Sequence, residues 1–337
     1  MNKLLYLLLI AVCWSCSQDS ETEKHQSKRD QVVDVRDKMK EFSTQDVLIG
    51  RISRTYLIDN YLIVTLIVTD YNSPDKLIHL FDKNTFEHLA SSTYQGQGPD
   101  EITIIGHVGI DETNRRFFVS DHGKLKIFAY DLDSVLTTPE YQPSVKIDMK
   151  KKLFPDDYLY LNDTLCIAKI IEPIGNNDYK PSVARWNMAT GEINPMPYEY
   201  PDLKKVRFIY AASAEHQLYV QCYTQYDLMT ICDFNGNLKC NIYGPKWVNE
   251  KTQTQHYSLG VEFCGDKILA LYSGGDHRTD AYYPTKFLVF DLNGNYLKTL
   301  ETGYMITDFC YDKENNRLII NLNDEIQFTY LDLEGII

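Results

Sequence analysis

Six times along this chain an apolar or aromatic residue is followed by Asp or Asn and then a short turn. The stretches are Phe81-Asp82-Lys83-Asn84, Tyr130-Asp131-Leu132-Asp133, Trp186-Asn187-Met188-Ala189-Thr190-Gly191, Cys232-Asp233-Phe234-Asn235-Gly236, Phe290-Asp291-Leu292-Asn293-Gly294 and Leu331-Asp332-Leu333-Glu334-Gly335. The steps between successive Asp or Asn positions are 49, 56, 46, 58 and 41 residues. A period of this size that ends strands in hairpin turns marks propeller blades or another repeat array.

A second column lies upstream of the first. Asn60-Tyr61-Leu62, Asn114-Arg115-Arg116, Asp163-Thr164-Leu165, His216-Gln217-Leu218, Asp266-Lys267-Ile268 and Asn316-Arg317-Leu318 each set a turn former ahead of an apolar run. Asp, Asn and Gly suit tight turns because they tolerate positive φ or bond their own backbone. Each repeat thus holds two hairpins and four strands. The expected fold is all-β, a six-bladed β-propeller of four-stranded antiparallel blades. The first-column Asp sits at the end of a third strand, where its carboxylate accepts N–H groups of the turn. A metal-binding ring is excluded for these residues, because outer hairpins of different blades lie far apart.

The sixth unit ends early. Phe328 to Leu331 makes a third strand, and Ile336-Ile337 is too short for a fourth. Propellers protect their open edges by closing the ring. An N-terminal strand is therefore expected to complete it, drawn from Val32 to Val35 or from Val47 to Ile49.

The bulk numbers agree with one β domain. Of 337 residues, 44% are hydrophobic, and 25 Tyr with 14 Phe suit half-buried strands. A formal charge of −13 argues against nucleic acid and against a basic membrane-binding face. Residues 1–16 read as a targeting segment: Lys3, then an apolar run from Leu4 to Val12. That run is shorter than the roughly 20 residues needed to span a bilayer. Trp14-Ser15-Cys16 resembles a bacterial lipobox, with Cys16 as the lipidated residue, although Cys13 and Trp14 stand where an aliphatic and a small residue are usual. Simple secretion and an uncleaved anchor are the alternatives. Residues 17–31 read as a flexible tether, or as an acidic export signal resembling those of some Gram-negative lipoproteins. The propeller is expected over 32–337.

Gln95-Gly96-Gln97-Gly98-Pro99-Asp100-Glu101 follows the first unit. Together with the two columns and the lipobox-like start, it resembles the TolB-like six-bladed propeller lipoproteins. They often carry Gly-x-Gly-Pro-x-Glu here, usually before Phe, whereas Ile102 follows in this chain. The resemblance covers roughly residues 40 to 337 and implies a fold and an envelope location. The family has no agreed catalytic residues to carry over.

In such blades the tight turns emerge on one face and the longer connections on the other. The longer connections are Thr69 to Lys76, Gln95 to Glu101, Glu172 to Pro181, Pro245 to Gln255 and Ser273 to Thr285. Loops on a rigid scaffold usually carry binding. The candidate ligand residues are Glu101, Asp276, His277, Arg278, Tyr282 and Tyr283, with carboxylates for hydroxyls and rings for stacking. Against this stands the plainer reading of an exposed loop whose aromatics pack on a neighbouring blade. The Gly96-to-Glu101 stretch lacks the Lys and following helix of a phosphate loop and reads as a blade-to-blade turn, with Glu101 facing the central channel as a further option.

No His-Glu-x-x-His, no Gly-x-Ser-x-Gly and no Cys-x-x-Cys beyond Cys13 and Cys16 is present. Cys166, Cys222, Cys264 and Cys310 read as buried small hydrophobes. Cys232 and Cys240 flank a hairpin and are candidates for a cross-strand disulfide. The functional expectation is a monomeric, lipid-anchored outer-membrane protein, facing the periplasm or the surface. It would bind an envelope protein or glycan without catalysis, metal or cofactor, and touch the membrane only through its anchor. The alternative is a metal-dependent hydrolase or lyase using the central channel, as in lactonase-like propellers.

Overall fold

The computed structural model describes residues 20–44, 47–50, 52–67, 76–175, 178–200, 203 and 206–337. The targeting segment with Cys16, and most of the connection Thr69 to Lys76, lie outside these residues. Six antiparallel four-stranded sheets follow one another along the chain. Their first strands are Ser53–Ile58, Ile105–Asp111, Phe154–Asn162, Phe208–Ser213, Thr254–Cys264 and Ile306–Asp312. Each first strand touches the next all the way round, and the sixth returns to the first. The expected six-bladed propeller is the fold. No helix among the described residues is long and apolar enough to cross a membrane.

The second strands carry the most continuous apolar runs because blades pack face to face and bury both sides of them. Tyr61–Leu66, Leu218–Tyr223 and Arg317–Leu322 are buried almost throughout. Core clusters fill the gaps between blades, such as Leu218, Ile231 and Ile242 against Ile268, Leu288 and Phe290. The two sequence columns form the turns, except that Asp131 caps a short helix, Leu132–Thr137, by accepting the Ser134 N–H at 2.8 Å. Asp82 Oδ1 accepts the N–H groups of Asn84 and Thr85 at 2.8 Å each. Asn187, Asp233 and Asp291 do the same in their turns. Positive φ falls in or beside the second column, at Asp59, Arg115, Gln217 and Asn316. The columns also bond each other: Lys83, Leu132, Phe234 and Leu333 N–H groups donate to the carbonyls of Asn60, Arg115, Gln217 and Asn316.

Ring closure differs from both expected segments. The fourth strand of blade 6 is Lys40–Glu41 (β3), antiparallel to Phe328–Asp332, with Thr329 opposite Glu41 and Tyr330 opposite Lys40. Val32–Asp34 (β2) instead adds a fifth, parallel strand outside blade 5. Val47 to Ile49 forms no strand, though Ile49 is buried. A strand pairs through its backbone, so a two-residue polar segment closes the ring as well as an apolar one. Val35 satisfies its apolar character by burial with Leu300 and Leu331.

The segment expected as a tether is held along much of its length. Glu23–His25 (β1) pairs in parallel with Leu238–Tyr243 of blade 4, and His25 stacks on Tyr243 at 4.3 Å. Arg29 enters the seam between blades 4 and 5, where it meets Asp227 at 2.9 Å. Composition alone conceals this, since the outer strand of blade 4 offers free backbone groups to any chain laid beside it.

Two smaller expectations also change. Glu172 to Pro181 is paired strand, not loop: Leu165–Gly175 and Asp178–Asn187 stay in register out to Gly175 opposite Asp178. A register shift beside Pro173 absorbs the proline. Cys240 lies opposite Ile231, because a bulge offsets the hairpin. Cys232 packs toward blade 3 and Cys240 toward blade 5, so they point to opposite faces and both are free thiols.

Candidate functional site: the central channel

The six first strands surround a central channel of about 720 Å³, open to solvent. This lies in the range of small-ligand sites. Alternate residues of a strand share a face, so Arg54 and Tyr56 from blade 1 enter the channel together. Blade 2 adds His107, blade 3 adds Asp156, Asp157 and Tyr158, blade 5 adds Glu262, and blade 6 adds Asp308.

Several of these groups tie one blade to the next. Asp308 Oδ2 accepts the Thr55 N–H at 2.6 Å and the Thr55 hydroxyl at 2.8 Å. Glu262 Oε2 accepts the Tyr311 N–H at 3.0 Å. His107 sits between two acceptors, with Nε2 2.8 Å from the Tyr158 carbonyl and Nδ1 3.0 Å from Asp157 Oδ1. An imidazolium, donating from both nitrogens, is the form that satisfies both bonds. Lys169 Nζ pairs with Asp156 Oδ2 at 2.8 Å.

The carboxyls fall into two kinds. Burial pushes Glu262 up to about 8, and the nearby charges of Asp308 and Asp157 add to this. Burial likewise pushes Asp308 up to about 7, against the Thr55 hydrogen bond and the Arg54 charge. Burial would raise Asp157 too, yet the charge and hydrogen bond of His107, with Lys169 and Arg54, hold it down at about 2. Near neutral pH the channel thus holds protonated and ionised carboxyls side by side, the pattern that clusters at functional sites.

The mouth of the channel is built by the blade 5 connection. Lys267–Asp276 continues as paired strand to Asp276, and a short 3₁₀ turn, Asp280–Tyr282, folds back on it. Gly275 permits this, because a Cβ there would stand 1.9 Å from the Ala281 carbonyl oxygen. The fold-back sets Tyr282 and Tyr283 on the channel, their ring centroids 4.2 Å apart. Ile52, Ile67 and Leu259 line the same channel and are exposed, and Leu259 holds a φ of 67°.

The candidates from the sequence therefore separate. Tyr282 and Tyr283 reach the channel. Asp276 and Arg278 pair with each other on the surface, Nη2 to Oδ2 at 2.7 Å, and His277 Nδ1 lies 2.9 Å from the Gln253 carbonyl. Glu101 does not line the channel. Its carboxylate caps its own turn by accepting the Gly98 N–H at 2.6 Å, and Lys124 bonds the Glu101 carbonyl at 2.6 Å. The Gly96 stretch is thus a blade-to-blade turn, and a Cβ at Gly96 would stand 1.9 Å from the Glu101 carboxylate. Arg54, Tyr56, His107, Asp157, Glu262 and Asp308 escaped sequence reasoning because each inner strand contributes only one or two of them. The available signal was a charge within an apolar strand, as in Val261-Glu262-Phe263 and Thr307-Asp308-Phe309.

Among the described residues, no three His, Cys, Asp or Glu come together so as to hold a metal ion. The metal-dependent alternative therefore finds no ligand set there.

The DUF5128 family model, described as a 6-bladed beta-propeller, matches residues 22–163. The chain is similar to that family over this stretch. No curated protein matches the sequence. Among solved structures, a member of the DUF4221 family from Bacteroides vulgatus is 12% identical. Its TM-score is 0.54, over 87% of this chain and 95% of that one. A luciferin-regenerating enzyme is 9% identical with a TM-score of 0.55, over 87% of this chain and 94% of that one. At such identities the likeness concerns the fold alone. A β-propeller is supported from both directions, and the finer TolB-like assignment rests on the sequence resemblance.

Proposed function

We propose that this chain is a non-catalytic binding module of the bacterial envelope, held by a lipid on Cys16, whose propeller channel receives a glycan. The observation that carries the reading is the channel itself: about 720 Å³, with paired tyrosines at its mouth and mixed donors and acceptors inside. Sugar rings stack on aromatic faces through their C–H groups, and their hydroxyls need donors and acceptors together. A folded protein partner has no segment of comparable shape, apart from an extended loop. The envelope location and the monomeric state belong to the same proposal and rest on the lipobox-like start and the acidic surface.

The test is binding on a glycan array, followed by calorimetry, with wild type and the Tyr282→Ala/Tyr283→Ala double variant. The expected result is saccharide binding weakened about tenfold or more, about 1.4 kcal/mol, by loss of the stacking platform. Absence of any glycan signal, alongside capture of a specific protein from envelopes, would replace the glycan by a protein partner.

A further inference from the structure

Among the charged groups of the channel, Arg54 stands apart. Lys169 is paired with Asp156 and His107 with Asp157. Arg54 makes no ion pair with any described residue, yet its side chain is exposed within the channel. The hydroxyl of Tyr56 lies beside it, and its pKa is raised first by Tyr56 and then, against burial, by Asp157 and Asp308. An arginine fork without a carboxylate partner, in a narrow and partly desolvated passage, is a strong receiver for an oxygen anion. The acid nearest in role, Asp308, already spends Oδ2 on Thr55.

We infer that the channel selects a saccharide bearing a monoanionic group, a carboxylate or a sulfate ester, which seats on the Arg54 guanidinium while the ring packs at Tyr282 and Tyr283. This rests on the binding reading above and narrows it to a chemical class. A monoanion fits better than a phosphate dianion, because one unpaired guanidinium faces the channel among the described residues and Asp157 remains ionised nearby. Burial keeps Glu262 largely and Asp308 partly protonated near neutral pH, which lessens repulsion of an incoming anion and leaves a carboxyl donor facing it. The surface as a whole repels anions, with a formal charge of −13, so an anionic ligand needs such a dedicated cation.

The experiment compares wild type, Arg54→Gln and Arg54→Lys on an array carrying galacturonate, glucuronate, sialate and sulfated oligomers beside neutral saccharides of the same rings. Calorimetry then follows on the best binder and on its methyl-esterified or desulfated form. The expected result is preference for the anionic member, loss of at least tenfold on neutralising the ligand, and a similar loss in Arg54→Gln. Arg54→Lys should retain part of the affinity, and circular dichroism should show all three folded. The carboxylated and sulfated arms tell which monoanion is used. Neutral saccharides bound as tightly as anionic ones, or unchanged affinity in Arg54→Gln, would overturn the inference and leave the binding reading standing. Failure of every saccharide would overturn both.

Discussion

Glu262 hangs from the inner strand of blade 5 with one oxygen on the Tyr311 N–H, and burial pushes it up to about 8 from an ordinary 4.5. Between these values the folded chain holds a proton that the unfolded chain has released. Stability is therefore fully present below about pH 4.5 and declines as pH rises through about 8. Asp308 acts in the same direction between 3.8 and about 7. Glu262→Gln keeps an acceptor for Tyr311 and removes the proton dependence. At pH 9 it should be more stable than wild type by about 1–3 kcal/mol, and at pH 4 nearly equal, by thermal melting. Equal melting at both pH values would mean that Glu262 ionises freely in channel water. At this scale the sequence was legible where a residue acts on its own neighbours. The turn-capping role of Asp82, Asp233 and Asp291 followed from local chemistry, and each accepts the N–H groups expected. Asp332 departs from the column, with its carboxylate on Lys40 Nζ at 2.7 Å, because the ring-closing strand lies there. Glu262 stayed hidden because its partner Tyr311 sits on the next blade, 49 residues away in the chain, and Arg54 because the charges of Asp157 and Asp308 reach it only from other blades.

The N-terminal strands form an outer strap over blades 4, 5 and 6, and Arg29 is its rivet. The Arg29 and Asp227 side chains are 8% and 0% exposed, so this pair has been taken out of water. The guanidinium also lies over the Tyr272 ring at 5.0 Å and donates to the Tyr257 hydroxyl at 3.1 Å. Removing one partner of a buried pair strands the other's charge, at a cost of about 3–5 kcal/mol. Arg29→Met should lower the denaturation midpoint accordingly without altering the β signal in circular dichroism. A change below about 1 kcal/mol would show that the strap docks loosely and that Asp227 is hydrated in solution. The blades were readable from apolar runs and turns, since burial between blades demands both. The strap was not, because β1 and β3 are polar and pair through backbone alone, leaving no side-chain pattern. Val32 and Val33 pointed to a strand, but one expected, with Val47 to Ile49 as the other option, to close blade 6, whereas it lies along blade 5.

For the ring as a whole, β3 decides whether the molecule has an open edge. Lys40–Glu41 covers the third strand of blade 6, and Phe42 behind it stacks on Phe86 of blade 1 at 3.7 Å and on Phe328 of blade 6 at 5.5 Å. One short segment thus binds the last blade to the first. A buried cluster at the same seam adds an ionic tie that cannot form unless the blades meet, Lys83 of blade 1 on Asp312 of blade 6, which also holds Arg317 of its own blade. Thr55 and Asp308 face each other across this seam inside the channel, so ring closure and the proposed anion seat beside Arg54 depend on the same contact. A chain starting at Arg36 loses β1, Arg29 and β2 but keeps β3, and should fold cooperatively with a lower melting temperature. A chain starting at Ser43 also loses β3 and Phe42, exposing an edge strand and emptying an aromatic site, at a further cost above about 3 kcal/mol. It should melt broadly or aggregate, and should lose saccharide binding before it loses its β signal, because the seam opens first. Identical melting and binding by the two truncated chains would mean that blade packing alone closes the ring, with β3 merely resting on its edge.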